Sequence, residues 1–297
     1  MWRPTHLVDV RRTLAPLARG RRDPTQQVDT DGSIWRTTLA PTGPATCRIT
    51  QRGGHEIHCQ AWGPGSEWVI AGLPDLLGSR DSSDGFEPGH PLIASAHRRN
   101  PWLRMPRTGR VFEALVPAVL EQKVTGLQAK VAFARLVRQF GSTPPGPAPA
   151  GMQVSPPPEV WQRIPSWEWH RAGVEPVRAR TIIAAAKLAS RLEEGTDLTS
   201  HAALARLRQV PGIGEWTAAE VAQRALGDAD AISVGDFHLS QFVGWAMLGR
   251  PVDDAGMVEL LEPWRGHRQR VVRLLELSGA EKPRFGPRLT IADHRAR

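Results

Sequence analysis

The chain has 297 residues, enough for one or two domains with a substantial core. Its net charge of +8 and pI of about 10.7 suit a polyanionic partner, although arginine carries most of that charge and the lysines are only Lys123, Lys130, Lys187 and Lys282. Two cysteines, Cys47 and Cys59, exclude a disulfide framework and any four-cysteine zinc or iron–sulfur site, and no apolar run or leader pattern points to a membrane or to export, so a cytoplasmic protein is expected.

Residues 1 to about 80 read as β-rich. Short apolar stretches at Leu7–Val10, Ile34–Leu39, Cys47–Thr50, Ile57–Ala61 and Trp68–Ala71 alternate with turn residues, and Arg48 to Gln60 reads as a hairpin turning at Gly53-Gly54. The Arg19–Arg22 run is either a solvated surface or a phosphate contact, the solvated surface being favoured. Asp75, Asp81 and Asp84 fall in a loop-rich connector and read as solvated acids rather than as a metal site. A short helix is expected from Pro91 to Arg99.

Val111 to Phe140 is helical in pattern, with apolar stripes through Phe112, Leu115, Val119 and then Leu127, Val131, Ala134. Pro117 should start a turn or kink the first helix, and Thr125 with Gln128 is a capping box that divides the two helices. The proline-rich stretch from Gly141 to Pro158 reads as a stiff surface excursion without structure. A short helix over Val160–Glu168 follows, with Trp161, Trp167 and Trp169 assigned to core packing. Val177–Leu192 is a further helix, and Thr199 or Ser200 caps the next. Leu239–Leu248 looks buried, Met257–Pro263 and Arg265–Leu277 complete a bundle, and the basic tail from Gly279 is expected to be mobile.

The most specific stretch is Leu207-Arg208-Gln209-Val210-Pro211-Gly212-Ile213-Gly214-Glu215-Trp216-Thr217-Ala218. Leu204, Leu207 and Val210 keep helical spacing until Pro211 cuts the helix. Gly212 and Gly214 permit a tight turn with no Cβ in the way, and a second helix runs from about Glu215 to Leu226, closed by Gly227. A bare turn that leads into a helix N-terminus offers outward N–H groups to a phosphate. Downstream, Ser233-Val234-Gly235-Asp236-Phe237-His238-Leu239 carries an acid at a plausible helix start, so Asp236 could serve as an N-cap as well as a catalyst.

The Val-Pro-Gly-Ile-Gly-x-Trp-Thr-Ala string followed by Asp236 resembles the helix-hairpin-helix DNA glycosylases, and within them the alkylbase (3-methyladenine type II) branch; the resemblance covers most of the chain. It implies an α+β fold, with a small antiparallel β-domain over residues 1–88 and an all-α glycosylase body over 89–297. It implies duplex DNA with a damaged base as partner and hydrolysis of the glycosidic bond of alkylated purines. Asp236 would be catalytic. The hairpin, Val210, Pro211, Gly212, Ile213, Gly214 and Thr217, would hold the backbone. Trp216 would line the base pocket and stack on a cationic base. Glu220, more readily an exposed helix residue, could also face that pocket. Arg273 stands near a position where relatives often carry a second aromatic.

Gln122 and Lys123 lie where relatives push a wedge into the duplex; Lys123 could equally be a surface residue at a helix end. No metal is expected at side chains, although main-chain groups of Gln209, Val210 and Ile213 could hold a monovalent cation. Bifunctional relatives carry an amine nucleophile just after the hairpin glycines, where this chain has Trp216, and no lysine lies between Lys187 and Lys282. A monofunctional, monomeric hydrolase without cofactor, iron–sulfur cluster or membrane contact is therefore expected. The rival functions are a non-catalytic DNA-binding module and a glycosylase for deaminated or oxidised bases.

Overall fold

The computed structural model describes residues 1–283. The expected α+β architecture is present. A four-stranded antiparallel meander, β1 (Gln26–Val28), β2 (Ile34–Ala40), β3 (Gly43–Arg52) and β4 (Glu56–Trp62), lies in sequence order. The β3–β4 hairpin turns at Gly53, whose φ is +62°, with Arg48 facing Gln60 and Arg52 facing Glu56.

Two of the expected strands are not strands. Leu7–Val10 runs into a helix, α1 (Val10–Leu14), and Trp68–Ala71 lies inside α2 (Ser66–Leu76). Short apolar runs do not distinguish strand from helix. Here Val69, Leu73 and Leu77 recur every four residues and bury one helical stripe on the sheet beside Ile34, Ile49 and Ile57.

The helical body follows as α3 (Pro91–Arg99), α4 (Val111–Leu120), α5 (Gly126–Phe140), α6 (Pro158–Arg163), α7 (Ser166–Arg171), α8 (Pro176–Lys187), α9 (Ala189–Glu193), α10 (Ser200–Arg208), α11 (Glu215–Val221), α12 (Leu239–Leu248), α13 (Asp254–Leu261) and α14 (Arg268–Leu277). Helix α4 continues through Pro117 for three more residues, so the proline does not end it. The break comes where the capping box lies, with Thr125 and Gln128 bonded reciprocally. The single helix expected over Val160–Glu168 is two short ones, divided at Ile164-Pro165. Trp161 and Trp169 are buried in the core as expected, whereas Trp167 is 60% exposed.

The proline-rich segment is not structureless. Ser142 pairs with Val154 in both backbone directions, the Gln153 N–H donates to the Pro24 carbonyl, and the Thr37 hydroxyl donates to the Gln153 carbonyl. Met152 and Val154 are fully buried. The prolines stiffen a strap that clasps the sheet. Two charged sites are also more structural than expected. Arg19 is buried against Glu121 at 3.3 Å, and its guanidinium is held down to about 10 by burial and then by the neighbouring Arg224. Asp81 forms a buried pair with Arg270 at 2.6 Å.

Two helical cores matter for the site. One joins α4, α5, α6, α8 and α11 around Leu115, Leu136, Trp161 and Ile182. The other joins α3 and the Trp102–Met105 segment to α12, α13 and α14 around Ile93, Val243, Met257 and Leu274. Helix α12 belongs to the second core through Val243, but it is not buried throughout: Leu248 is exposed. Most of the basic tail lies outside the described residues.

Candidate active site

The hairpin forms as its residues dictate. Thr199 caps α10 by accepting from the Ala202 N–H. The turn then closes with Val210 N–H on the Leu207 carbonyl and Ile213 N–H on the Val210 carbonyl, both at 3.1 Å. Val210 and Ile213 face the core, while Pro211, Gly212 and Gly214 face solvent. Gly212 has φ +87°, and a Cβ there would lie 2.1 Å from the Thr181 hydroxyl, so conformation and space both require glycine. Gly214 is extended and starts α11, whose first-turn N–H groups point outward.

The expected wedge residues separate. Gln122 Nε2 donates to the Gly212 carbonyl at 3.0 Å and to the buried Thr217 hydroxyl at 2.8 Å, which ties the α4–α5 turn to the hairpin. Of the main-chain groups of Gln209, Val210 and Ile213 expected to be able to hold a cation, the Val210 carbonyl accepts from the Ile213 N–H. Lys123 is exposed with φ +53°, the one non-glycine residue with positive φ among those described. An l-residue held there costs about 1–3 kcal/mol.

Asp236 precedes α12. Its Oδ1 accepts from the His238 and Leu239 N–H groups at 2.8 and 3.0 Å, and its Oδ2 accepts from the Trp216 indole at 3.1 Å. One carboxylate therefore holds both the backbone leading into α12 and the Trp216 indole. The cap fixes its position and leaves the group at the rim of a 540 Å³ cavity.

That cavity opens between the two helical cores. Met105 and Pro106 form one side, and Glu220, Gln223 and Arg224 come from α11 and the π-turn Ala222–Leu226 that extends it. Leu239 and Phe242 come from α12, and Gln269, Val272, Arg273 and Glu276 from α14. Two ion pairs lock α14 in place: Arg270 with Asp81, and Arg268 with Asp230, which it meets through two bonds of 2.8 and 2.6 Å.

Glu220 is not the exposed helix residue that its position suggested. It lines the cavity, pairs with Arg224 at 2.8 Å and accepts from the Ser233 hydroxyl at 2.6 Å. Arg273 lines the cavity and pairs with Glu276. Trp216 stands beside Asp236 through its N–H and is not among the lining residues.

Sequence reasoning missed Gln223, Phe242, Gln269, Glu276 and Lys282, all of which reach the cavity. Lys282 lies 2.8 Å from His238 Nδ1 and 3.4 Å from Gln241 Oε1. No spacing signal marks residues brought together from such distant parts of the chain. The described residues contain no group of three His, Cys, Asp or Glu able to hold a metal, and no helix among them is long and apolar enough to cross a membrane.

Comparisons with known proteins agree with this architecture. No family model matches the sequence. The "probable bifunctional transcriptional activator/DNA repair enzyme AlkA" of Mycobacterium tuberculosis is 34% identical over 182 residues, which is 60% of this chain but only 35% of that protein, so the chain matches about a third of its curated relative. Among solved structures, the 3-methyladenine DNA-glycosylase from Archaeoglobus fulgidus superposes with a TM-score of 0.74 at 20% identity, covering 94% of this chain and 98% of its own. The Clostridium acetobutylicum 8-oxoguanine glycosylase/lyase, solved with double-stranded DNA, superposes with a TM-score of 0.68 at 11% identity, covering 92% and 91%. The chain thus shares its fold with these solved glycosylases, and its sequence is similar over 182 residues to the AlkA relative, in line with the resemblance read from the sequence.

Proposed function

We propose that this protein is a monofunctional DNA glycosylase that hydrolyses the glycosidic bond of alkylated purines in duplex DNA. The observation that carries the reading is the placement of Asp236: a carboxylate held by three N–H groups at a base-sized cavity, one of them from Trp216 in the first turn of the hairpin's second helix. A cavity of 540 Å³ lies within the ordinary range of about 300–1,000 Å³ for small-ligand pockets.

The chemistry follows from that placement. The hairpin holds the DNA backbone without reading sequence, because N–H groups bond any phosphate. Chemistry at a base requires it out of the stack, and the cavity is where it would go. An alkylated purine carries positive charge and leaves readily once the sugar's developing charge is stabilised. The fixed carboxylate of Asp236 supplies that stabilisation in a site walled by the two cores. The C1′–N electron pair leaves with the base and neutralises it, and water bonds C1′ and gives up a proton to solvent.

The absence of a strand-cleaving step rests on Trp216 standing where bifunctional relatives carry their amine. The fold nevertheless brings Lys282 to the cavity, and a lysine amine can attack C1′. Borohydride added during turnover of a methylated duplex should trap no covalent protein–DNA adduct, and strand breaks should appear only after hot alkali. A trapped adduct that disappears in Lys282→Ala would replace hydrolysis with Schiff-base chemistry.

A further inference from the structure

We infer that Gln269 reads the edge of the extruded base, so that the base removed presents an N–H donor beside a ring acceptor, as an alkylated adenine does. This deepens the proposed function and rests on it. Gln269 lies in the first turn of α14, is 6% exposed and lines the cavity, yet its Oε1 accepts no hydrogen bond. Among the described residues, it is the one buried side-chain atom without a partner whose residue lines this cavity. A buried carbonyl oxygen left unpaired is unfavourable; as the side chain stands this oxygen is shielded from the cavity, and it meets a ligand there when the amide turns.

The other polar groups of that wall largely satisfy one another. Ser233 donates to Glu220, and Gln223 Nε2 donates to the Ser233 hydroxyl and to the Ala231 carbonyl. Gln269 stands apart from this set. Its flanking residue Arg270 is locked to Asp81, so the helix cannot withdraw the amide, but the terminal torsion of a glutamine is soft and lets it turn toward a ligand. A glutamine amide presents an acceptor and a donor side by side, the pattern that matches the exocyclic amine and adjacent ring nitrogen of adenine.

The cavity wall makes stacking a weaker alternative. Phe242 and His238 are its rings, and the Trp216 indole is not among the lining residues. Discrimination then falls to hydrogen bonding, and a site built to bond a polar edge rejects a base that lacks it.

The test uses the full chain as Gln269→Leu and Gln269→Glu. Thermal midpoint, binding to an abasic duplex and single-turnover base release from a methylated duplex are measured for each. Gln269→Leu should raise the thermal midpoint, bind the abasic duplex like wild type, and release methylated adenine about tenfold or more slowly. Gln269→Glu keeps the acceptor and should keep the larger part of the rate. An active wild type with an unchanged Gln269→Leu overturns this inference alone, as does a fall in the Gln269→Leu midpoint, which would mean that the amide holds the fold. A wild type that releases nothing from methylated duplexes overturns the proposed function with it.

Discussion

Asp236→Asn is expected to lower single-turnover base release by about 10²–10³-fold, the usual cost of removing one preorganised electrostatic group, while leaving duplex binding unchanged. The substitution keeps an oxygen to accept from the His238 and Leu239 N–H groups, so the start of α12 should survive. It removes the negative charge, and its amide NH₂ can meet the Trp216 N–H donor only as a second donor. Parallel circular dichroism and abasic-duplex titration separate the loss of charge from a loss of structure. Unimpaired release by Asp236→Asn would show that the carboxylate merely caps the helix.

Gly212→Ala should be the most damaging single methyl in the hairpin. At φ +87° an alanine is strained by about 1–3 kcal/mol, and its Cβ would overlap the Thr181 hydroxyl at 2.1 Å and crowd its methyl at 3.1 Å. Both backbone and neighbour must then shift, and with them the carbonyl that Gln122 grips. Weaker duplex binding and a lower thermal midpoint are expected together. Thr181→Ala in the same chain removes both overlapping atoms and should restore part of the stability, a coupling that two independent sites would not show. Full additivity of the two substitutions would contradict the close approach.

What the sequence revealed were features set by neighbours along the chain. The capping box at Thr125 and Gln128, the helix from Pro91 to Arg99, the Gly53 turn and the Pro211-Gly212 break are local chemistry, and each lies where its residues predict. Asp236 was singled out through the family resemblance, and the local part of its setting, its bonds to the His238 and Leu239 N–H groups, is what an acid two and three residues ahead of them makes. The cavity wall was not, because it depends on Met105 and α14 converging from opposite ends of the helical body.

The errors have the same origin. Asp81 looked like a solvated loop acid because its partner Arg270 lies far along the chain. The proline-rich segment looked like a surface excursion without structure because the bonds that anchor it reach back to Pro24 and Thr37. The π-turn that carries Gln223 and Arg224 inward has no composition signal, since its Ala-Gln-Arg-Ala-Leu sequence would continue an α-helix equally well.

The central claim is that the cavity beside Asp236 receives an alkylated purine and releases it. Chromatographic identification of the small molecules freed from a methylated duplex tests it most directly. Free methylated purine, with the strand left intact at an abasic site, is the predicted result. A duplex returned with every methylated base still attached would contradict it.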